Sequence, residues 1–559
     1  MPICWRSLHR HFSVLKYTTP YGRSTRRSRA EKGSIVIAGT PRGFRDILPQ
    51  EALARERIST TVRECFSAHG YLPVETPLLE ERSALERGGR IKGSPFQLFD
   101  SDGSLLMLRP DLTLPIARLI ATRVGADELP VRFRYAAPVV REESSLKGQP
   151  RQFTQLGVEL VGDEGTASET EVVRLLAEVL SKLEVPAWRI VFGSVTPLTS
   201  LLDECAPSAN FRERALALVH ESDLVGLDEL VAAAGNRLTP EAAWAIRAVP
   251  RLNGGVEVID TIDALLADAG VAAEARGTVE LRRLVGKLDD LFGEGRVSFD
   301  FSIINSFDYY TGIIFKGYAE GIAASLASGG RYDAVLANLG RPGIAACGFA
   351  ISLERLQEIL GEPGESGVVT PGVRLADRPL RIAVPKGSLL KDTIRVLEAA
   401  GLPVEGLRDP GRKLIISEGD VEYVIVRAQD APVFVGHGGA DCGICGKDSI
   451  VEAGLDLLQL VDLHYGWCKF LVAEPAANAG LAERNYSWRG PVRVATKYPR
   501  ITQAYYDSIG QQVDIVTLHG NIELGPIVGM TDRIVDITAT GTTLRENDLV
   551  VVDDHHSDF

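Results

Sequence analysis

Nowhere in the 559-residue chain is there a run of apolar residues approaching the roughly 18 that a membrane helix needs, so the sequence offers no membrane span. Cysteine is scarce. Seven in so long a chain do not make a disulfide framework, and a reducing compartment, the cytoplasm, is expected. A surplus of basic charge is missing too: the formal net charge is −13, and residues 1–30 hold seven Arg or Lys with no Asp or Glu. Taking those seven from the total leaves the remaining chain at −20. So acidic a body argues against nonspecific nucleic-acid binding, and it requires local Lys, Arg or magnesium wherever a small anionic substrate is to bind. The pair Cys442 and Cys445 has CxxC spacing. No second CxxC completes a zinc site, and the alternating Gly and apolar run around it reads as small core residues, with Cys468 and His464 as the alternative ligand partners.

What is present begins with an Arg-rich leader, residues 1–34, whose composition fits either an organellar transit peptide or upstream sequence read from an early start codon. The folded part is expected from Ile35. Length alone implies more than one core. The stretch Gly361–Arg378, rich in Gly and Pro and without helical period, reads as a linker. Residues 35–360 and 379–559 are therefore expected to fold separately. In the first part, residues 51–70 read as an amphipathic helix, followed by strand-like runs at 104–108, 131–139, 151–160, 297–304 and 311–318 and by a helix over Gly348–Leu360. An antiparallel sheet is expected, with an Ala- and Leu-rich helical insertion over about 186–296. Polar residues at strand positions (Arg109, Asp111, Arg141, Glu143, Gln155, Glu159, Asp308) imply a pocket in that sheet.

After Leu380 strands and helices alternate, which predicts a parallel α/β sheet. Lys386, Arg412, Arg427, Lys447 and Lys497 cluster near predicted strand ends, where an anion would bind. The segment Ile534–Leu544, IVDITATGTTL, reads as a buried strand (Ile534, Val535, Ile537) running into a hydroxyl-rich loop. Gly541 permits the tight turn that points backbone N–H groups at an anion. Thr540, Thr542 and Thr543 add hydroxyl donors, while Asp532 and Asp536 are placed to accept from ribose hydroxyls or to hold magnesium.

Six ordered motifs, LRPDLT (Leu108–Thr113), VVREE (Val139–Glu143), QFTQLGVELVG (Gln152–Gly162), FDYYTG (Phe307–Gly312), SGGRYD (Ser328–Asp333) and GFAISLERL (Gly348–Leu356), resemble histidyl-tRNA synthetase. That resemblance implies a mainly antiparallel class II synthetase sheet and a histidine pocket of Asp111, Thr113, Arg141, Gln155, Glu159, Tyr309 and Tyr310. Glu159 and Asp111 would meet an α-ammonium, Gln155 and Arg141 a carboxylate, and the tyrosines an imidazole. The segment before Asp308 reads Asn305-Ser306-Phe307, where a synthetase has an arginine that stabilises charge during histidine activation. The linker stands where a synthetase continues into its anticodon-binding domain. Both departures make this half similar to the regulatory subunit of ATP phosphoribosyltransferase, which does not charge tRNA.

The remainder resembles the short-form catalytic subunit of that enzyme through PKGSLL, GRKL, VRAQDAPVFV, GADCGICGKDSI, ATKYPR, GNIELGP and IVDITATGTTL. This implies a two-lobed α/β domain like a periplasmic binding protein, joining adenine N1 of ATP to C1 of phosphoribosyl pyrophosphate with magnesium as cofactor. Catalytic roles fall by resemblance on Arg412, Lys386 and Arg427. The segment from Asp532 to Leu544 becomes the phosphoribosyl pyrophosphate loop, with Lys497 and Glu523 as further substrate contacts. Histidine would be the inhibitor, a tetramer the assembly, and a noncatalytic histidine sensor or a tRNA-related synthetase paralogue the alternative. Ser388, where the family often has arginine, Glu546 and Asp548 after the loop, and a last helix expected beyond HHSDF are the departures of this half.

Overall fold

The computed structural model describes residues 40–89, 96–141, 150–163, 165–303, 310–322, 324–361, 378–538 and 542–553. Helix α1 (Pro49–Ala68) buries Ala54, Ile58, Val62, Cys65 and Phe66 along one stripe, and Pro49 opens it where a missing N–H costs nothing. Beneath lies a nine-stranded sheet built on β1 (Val131–Val140), β2 (Gln152–Val161), β3 (Arg189–Ser194), β4 (Ile313–Tyr318), β5 (Ala327–Arg331) and β6 (Ala346–Ser352). Its order is Leu72–Pro73, β1, β2, β6, β5, β4, β3, Val297–Asp300 and Asn253–Gly254, antiparallel except at Leu72–Pro73 with β1 and β3 with Val297–Asp300. Helices α2 (Thr113–Arg123), α3 (Thr166–Lys182) and α5 (Leu353–Leu360) complete this half, together with a small sheet of Leu79–Glu81, Leu105–Leu108 and Gln97–Phe99. Arg55 of α1 donates to Glu354 of α5 at 2.7 Å and to Thr154 of β2 at 2.9 Å, joining three elements by one guanidinium.

Two expected boundaries move. Residues 186–296 are not wholly an insertion, because Arg189–Ser194 is a strand of the main sheet; the helical run starts at Thr196 and includes α4 (Leu224–Ala234). Nor is Gly348–Leu360 one helix. Gly348–Ser352 completes β6, and the Ser352 hydroxyl then accepts from the Arg355 N–H to cap α5. Phe349 and Ile351 are buried, and a short apolar run of that kind carries no period to separate strand from helix.

From Leu380 the chain builds two sheets. The first takes the order β8 (Ile415–Glu418), β9 (Val421–Val426), β7 (Leu380–Pro385), β10 (Cys442–Gly443), and carries α6 (Leu390–Ala399) and α7 (Lys447–Ala453). The second takes the order β13 (Val513–Thr517), β12 (Val492–Thr496), β14 (Arg533–Thr538), β11 (Lys469–Pro475), β15 (Leu549–Asp553), with α8 (Pro499–Ser508) and α9 (Thr542–Glu546). Each has its own apolar core, one around Val384 and Tyr423, the other around Val494 and Tyr506. The expected all-parallel sheet is instead mixed in both lobes. β8 and β9 form a hairpin turned at Gly419-Asp420, where Gly419 takes φ 60°, and β11 runs antiparallel to β14 and β15. No helix among the described residues is long and apolar enough to cross a membrane.

Phe299 is 1% exposed and packs on Phe192, Phe292 and Phe301 with ring centroids 5.5 to 6.2 Å apart. Phe299→Ala is expected to cost about 3–5 kcal/mol in urea unfolding. A loss under about 1 kcal/mol would show that this cluster collapses to fill the space.

Candidate functional site

In the N-terminal sheet, strand alternation points Gln155, Gly157 and Glu159 to one face of β2. Glu159 is 1% exposed, and its carboxylate accepts from Thr113 Oγ1 at 2.8 Å, Tyr332 Oη at 2.6 Å and Tyr135 Oη at 3.2 Å. Burial still raises its pKa from 4.5 to about 7, against the pull of those three hydroxyls. Glycines make the room. A Cβ at Gly348 would overlap the Glu159 carboxylate, and one at Gly157 would overlap the Tyr135 hydroxyl and the Phe349 carbonyl oxygen. Asp111 accepts from the Leu114 N–H at the start of α2 and lies close enough to raise the Glu159 and Tyr310 pKa values. Tyr310 is pushed up to about 12, chiefly by burial.

Gln155 is 8% exposed, and its Oε1 has no hydrogen-bond partner among the described residues, so the pocket wall presents an unmatched acceptor there. Arg141, at the end of β1, donates to the Pro110 carbonyl at 2.7 Å and stacks 5.1 Å from the Phe153 ring centroid, beside the residue that precedes Asp111. The structure thus gathers Asp111, Thr113, Gln155, Glu159 and Tyr310 and leaves Arg141 at the edge; Tyr309 and Asn305 lie outside the described residues. Arg109 is different: its guanidinium donates to the carbonyls of Thr76, Pro77 and Pro138, a fastening of backbone segments. Tyr135 and Tyr332 were not singled out from sequence, although Tyr135 stands opposite Gly157 in the register and Tyr332 ends the SGGRYD motif.

The second cluster forms between the two C-terminal lobes. Lys386 and Arg427 follow the last residues of the parallel strands β7 and β9, which pair through Pro385 and Val426, so both cations sit at one sheet edge. Arg412 joins them. It precedes β8, whose antiparallel direction brings its start to the same edge, with Ile425 N–H donating to Leu414. In the second lobe Lys497 follows β12 with its Nζ 3.9 Å from Asp536 of β14, and Glu523 lies close enough to raise the Asp536 pKa, although burial is the larger cause. The lobes meet at Tyr498, 2% exposed, whose hydroxyl lies against Gln429 and Asp448 of the first lobe, near enough to Asp536 to feel its charge. Lys497 directly precedes Tyr498, so it stands beside this meeting point of the lobes.

Asp532 does not belong to it. It precedes β14 at the end opposite the loop, where Arg493 pairs with it through two nitrogens at 2.8 and 3.2 Å. A strand of six residues separates the two places. Thr542 and Thr543 open α9 directly after the loop, while Thr540 and Gly541 lie outside the described residues. Glu546 and Asp548 are exposed beyond it. Lys447 is also elsewhere, 3.4 Å from Asp223 of the N-terminal half. Cys442 is exposed and Cys445 half-buried, so the pair does not form the small core expected; burial pushes the Cys445 thiol up to about 12, opposite to what a metal thiolate requires.

A synthetase-type antiparallel sheet with a buried carboxylate pocket, joined to a two-lobed α/β unit with cations at its strand ends, defines the class. Family models agree in both parts: histidyl-tRNA synthetase matches residues 43–356 and ATP phosphoribosyltransferase matches residues 427–556. An ATP phosphoribosyltransferase of Rubrobacter xylanophilus is 50% identical over 177 residues, 32% of this chain and 82% of that protein. An ATP phosphoribosyltransferase regulatory subunit of Moorella thermoacetica is 33% identical over 353 residues, 63% of this chain and 89% of that protein. The solved structure of an ATP phosphoribosyltransferase regulatory subunit/histidyl-tRNA synthetase from Bacillus halodurans has TM-score 0.53 and 25% identity, covering 74% of this chain and 99% of its own. The chain belongs to the histidyl-tRNA synthetase family by its N-terminal half and to the ATP phosphoribosyltransferase family by its C-terminal half.

A raised carboxylate pKa makes folding unfavourable to the charged form: the contribution of Glu159 to stability is whole below the unfolded value near 4.5 and is lost as pH rises through about 7. Between about pH 5 and about pH 8, the wild type is expected to lose on the order of 3 kcal/mol relative to Glu159→Gln in urea titrations. Parallel curves for the two proteins would place that carboxylate in water.

Proposed function

We propose that this chain is an ATP phosphoribosyltransferase with its regulatory subunit fused in front. In the reaction, adenine N1 of ATP attacks C1 of 5-phosphoribosyl 1-pyrophosphate, the C1–O bond breaks, and pyrophosphate leaves, giving N1-(5-phosphoribosyl)-ATP, the first step of L-histidine biosynthesis. The observation that carries this reading is the convergence of Lys386, Arg412 and Arg427 at one lobe's edge, together with Lys497 and Asp536 paired at a strand end of the other. The incoming nitrogen already has a lone pair and the leaving group departs as an anion, so the site needs positioning and positive charge more than a general base. A two-lobed unit of this kind, similar in plan to a periplasmic binding protein, supplies both by closing over the ligands.

Asp536 fits magnesium: it is a largely buried carboxylate with Lys497 Nζ 3.9 Å away and a second carboxylate, Glu523, close by. Together with the oxygens of the pyrophosphate it would hold the ion, which supplies charge neutralisation on the leaving group. In the N-terminal pocket L-histidine is the regulatory ligand. Glu159 and Asp111 receive its α-ammonium, and Gln155 Oε1 gains the donor that it lacks. A cytoplasmic homotetramer is the proposed assembly.

Pyrophosphate release requiring both ATP and phosphoribosyl pyrophosphate, and suppressed by histidine, is the expected result; no turnover in the full chain refutes it. Arg412→Ala is expected to lower turnover by on the order of 100-fold with far smaller changes in the Michaelis constants, and an unchanged turnover number removes Arg412 from the chemistry. An α-ammonium pairs only with ionised Glu159, so histidine affinity should rise as pH increases through about 7. Calorimetry of wild type against Glu159→Gln separates this rise from titration of the ligand's own imidazole. Equal pH slopes would take Glu159 out of the contact.

A further inference from the structure

The C-terminal chain passes from its first lobe to its second once, through residues 454–468, between α7 and β11. This crossover is where the N-terminal half takes hold. Gln459 N–H donates to the Ser222 carbonyl at 3.0 Å, and Asp223 pairs with Gln459 as a parallel bridge. Asp223, 7% exposed, also reaches Lys447 Nζ at 3.4 Å through Oδ2, while its Oδ1 caps α4 by accepting from Gly226 N–H. Ser222 carries a left-handed backbone, φ 58°, at this contact, a conformation that costs a non-glycine residue energy.

What is held matters because α7 is the junction of the lobes. Lys447, its first residue, is the one paired with Asp223. Asp448, its second, is 8% exposed and lies against Tyr498 at the cleft. Glu452 accepts the N–H groups of Arg500 and Ile501, which start α8 of the second lobe. Gly454 follows with a left-handed backbone, φ 59°, and a Cβ there would displace the Arg500 guanidinium. A displacement of the N-terminal half thus reaches both the hinge and the cleft through one short helix.

We propose that the N-terminal half governs the catalytic half by gripping this crossover, with Asp223 as the positioning residue that sets the relation of the two lobes. The inference rests on the regulatory reading above and adds its physical route. Asp223→Asn keeps an oxygen for the α4 cap and removes the charge from Lys447; Lys447→Gln removes the other charge of the pair. In the full-length protein each variant is expected to bind histidine within about twofold of wild type and to turn over within about threefold without it, while the histidine inhibition constant rises by about tenfold or inhibition fails to saturate. Lys447→Gln should match Asp223→Asn, and the double variant should add nothing further. Inhibition equal to wild type in both Asp223→Asn and Lys447→Gln overturns the inference. So does a loss of turnover that scales with lost stability and leaves the inhibition constant unchanged. Wild-type protein that neither binds histidine nor releases pyrophosphate defeats the regulatory reading itself, a different result seen before any variant is made.

Discussion

The constraint on which the N-terminal half depends is the burial of one carboxylate in the middle of a sheet. Transferring an ionised Glu from water costs several kcal/mol, and three hydroxyl hydrogen bonds to Glu159 offset only part of it, as its raised pKa records. The surroundings follow from that requirement. Tyr135, Tyr332 and Thr113 must reach inward from three separate elements, so neighbouring strands give up side chains where those groups pass, at Gly157 and Gly348. A sheet that carries glycine at such positions loses strand propensity, and the loss is sustained by broad apolar burial on the other side, where Leu156, Val158 and Leu160 are fully buried. A cationic ligand group, as in the proposed histidine, would restore part of what the carboxylate has lost.

The C-terminal half solves the opposite problem by opposite means. Lys386, Arg412 and Arg427 are exposed, and no buried counter-charge is needed to keep them apart, because water screens them until a ligand arrives. Their convergence comes from backbone direction alone. Two parallel strands end at one edge and an antiparallel neighbour begins there, so three residues distant in sequence share a place without touching. Polyanionic substrates entering that cleft replace solvent as the partner of these charges, and the gain grows as the lobes close and water leaves.

Much of this was legible in the sequence, and the failures have identifiable causes. The strand ending at Thr538, the pocket residues of β2 and the cations at strand ends were all readable, because each is a local pattern tied to a period or a turn. Asp532 was misplaced because nearness along the chain is a poor guide across a strand, whose rise of about 3.3 Å per residue carries six residues about 20 Å from the loop. β6 was taken as helix because an apolar run buried on both faces has no polar side to reveal its period. The antiparallel members of the C-terminal sheets escaped notice since a hairpin turned at Gly419-Asp420 looks, in sequence, like any strand–loop–strand passage. Lys447 joined the wrong group because its partner, Asp223, is supplied by the other half of the molecule.

That last error bears on why two functions share one chain. An ion pair with 30% and 10% side-chain exposure is worth little in isolation, roughly 0–1 kcal/mol, and a backbone bridge at Gln459 adds a similar amount. Between separate proteins at cellular concentration so small a contact would not hold them together. Within one chain the effective concentration of the two halves is millimolar or higher for a short tether, so a contact need only discriminate between arrangements, not sustain assembly. Weakness is then an advantage. A ligand with a differential affinity of one to three kcal/mol can reverse a contact of about that size, whereas a large apolar interface would lock the lobes in one relation whatever occupied the distant pocket. Fusion therefore lets contacts as small as these discriminate between arrangements without having to sustain assembly.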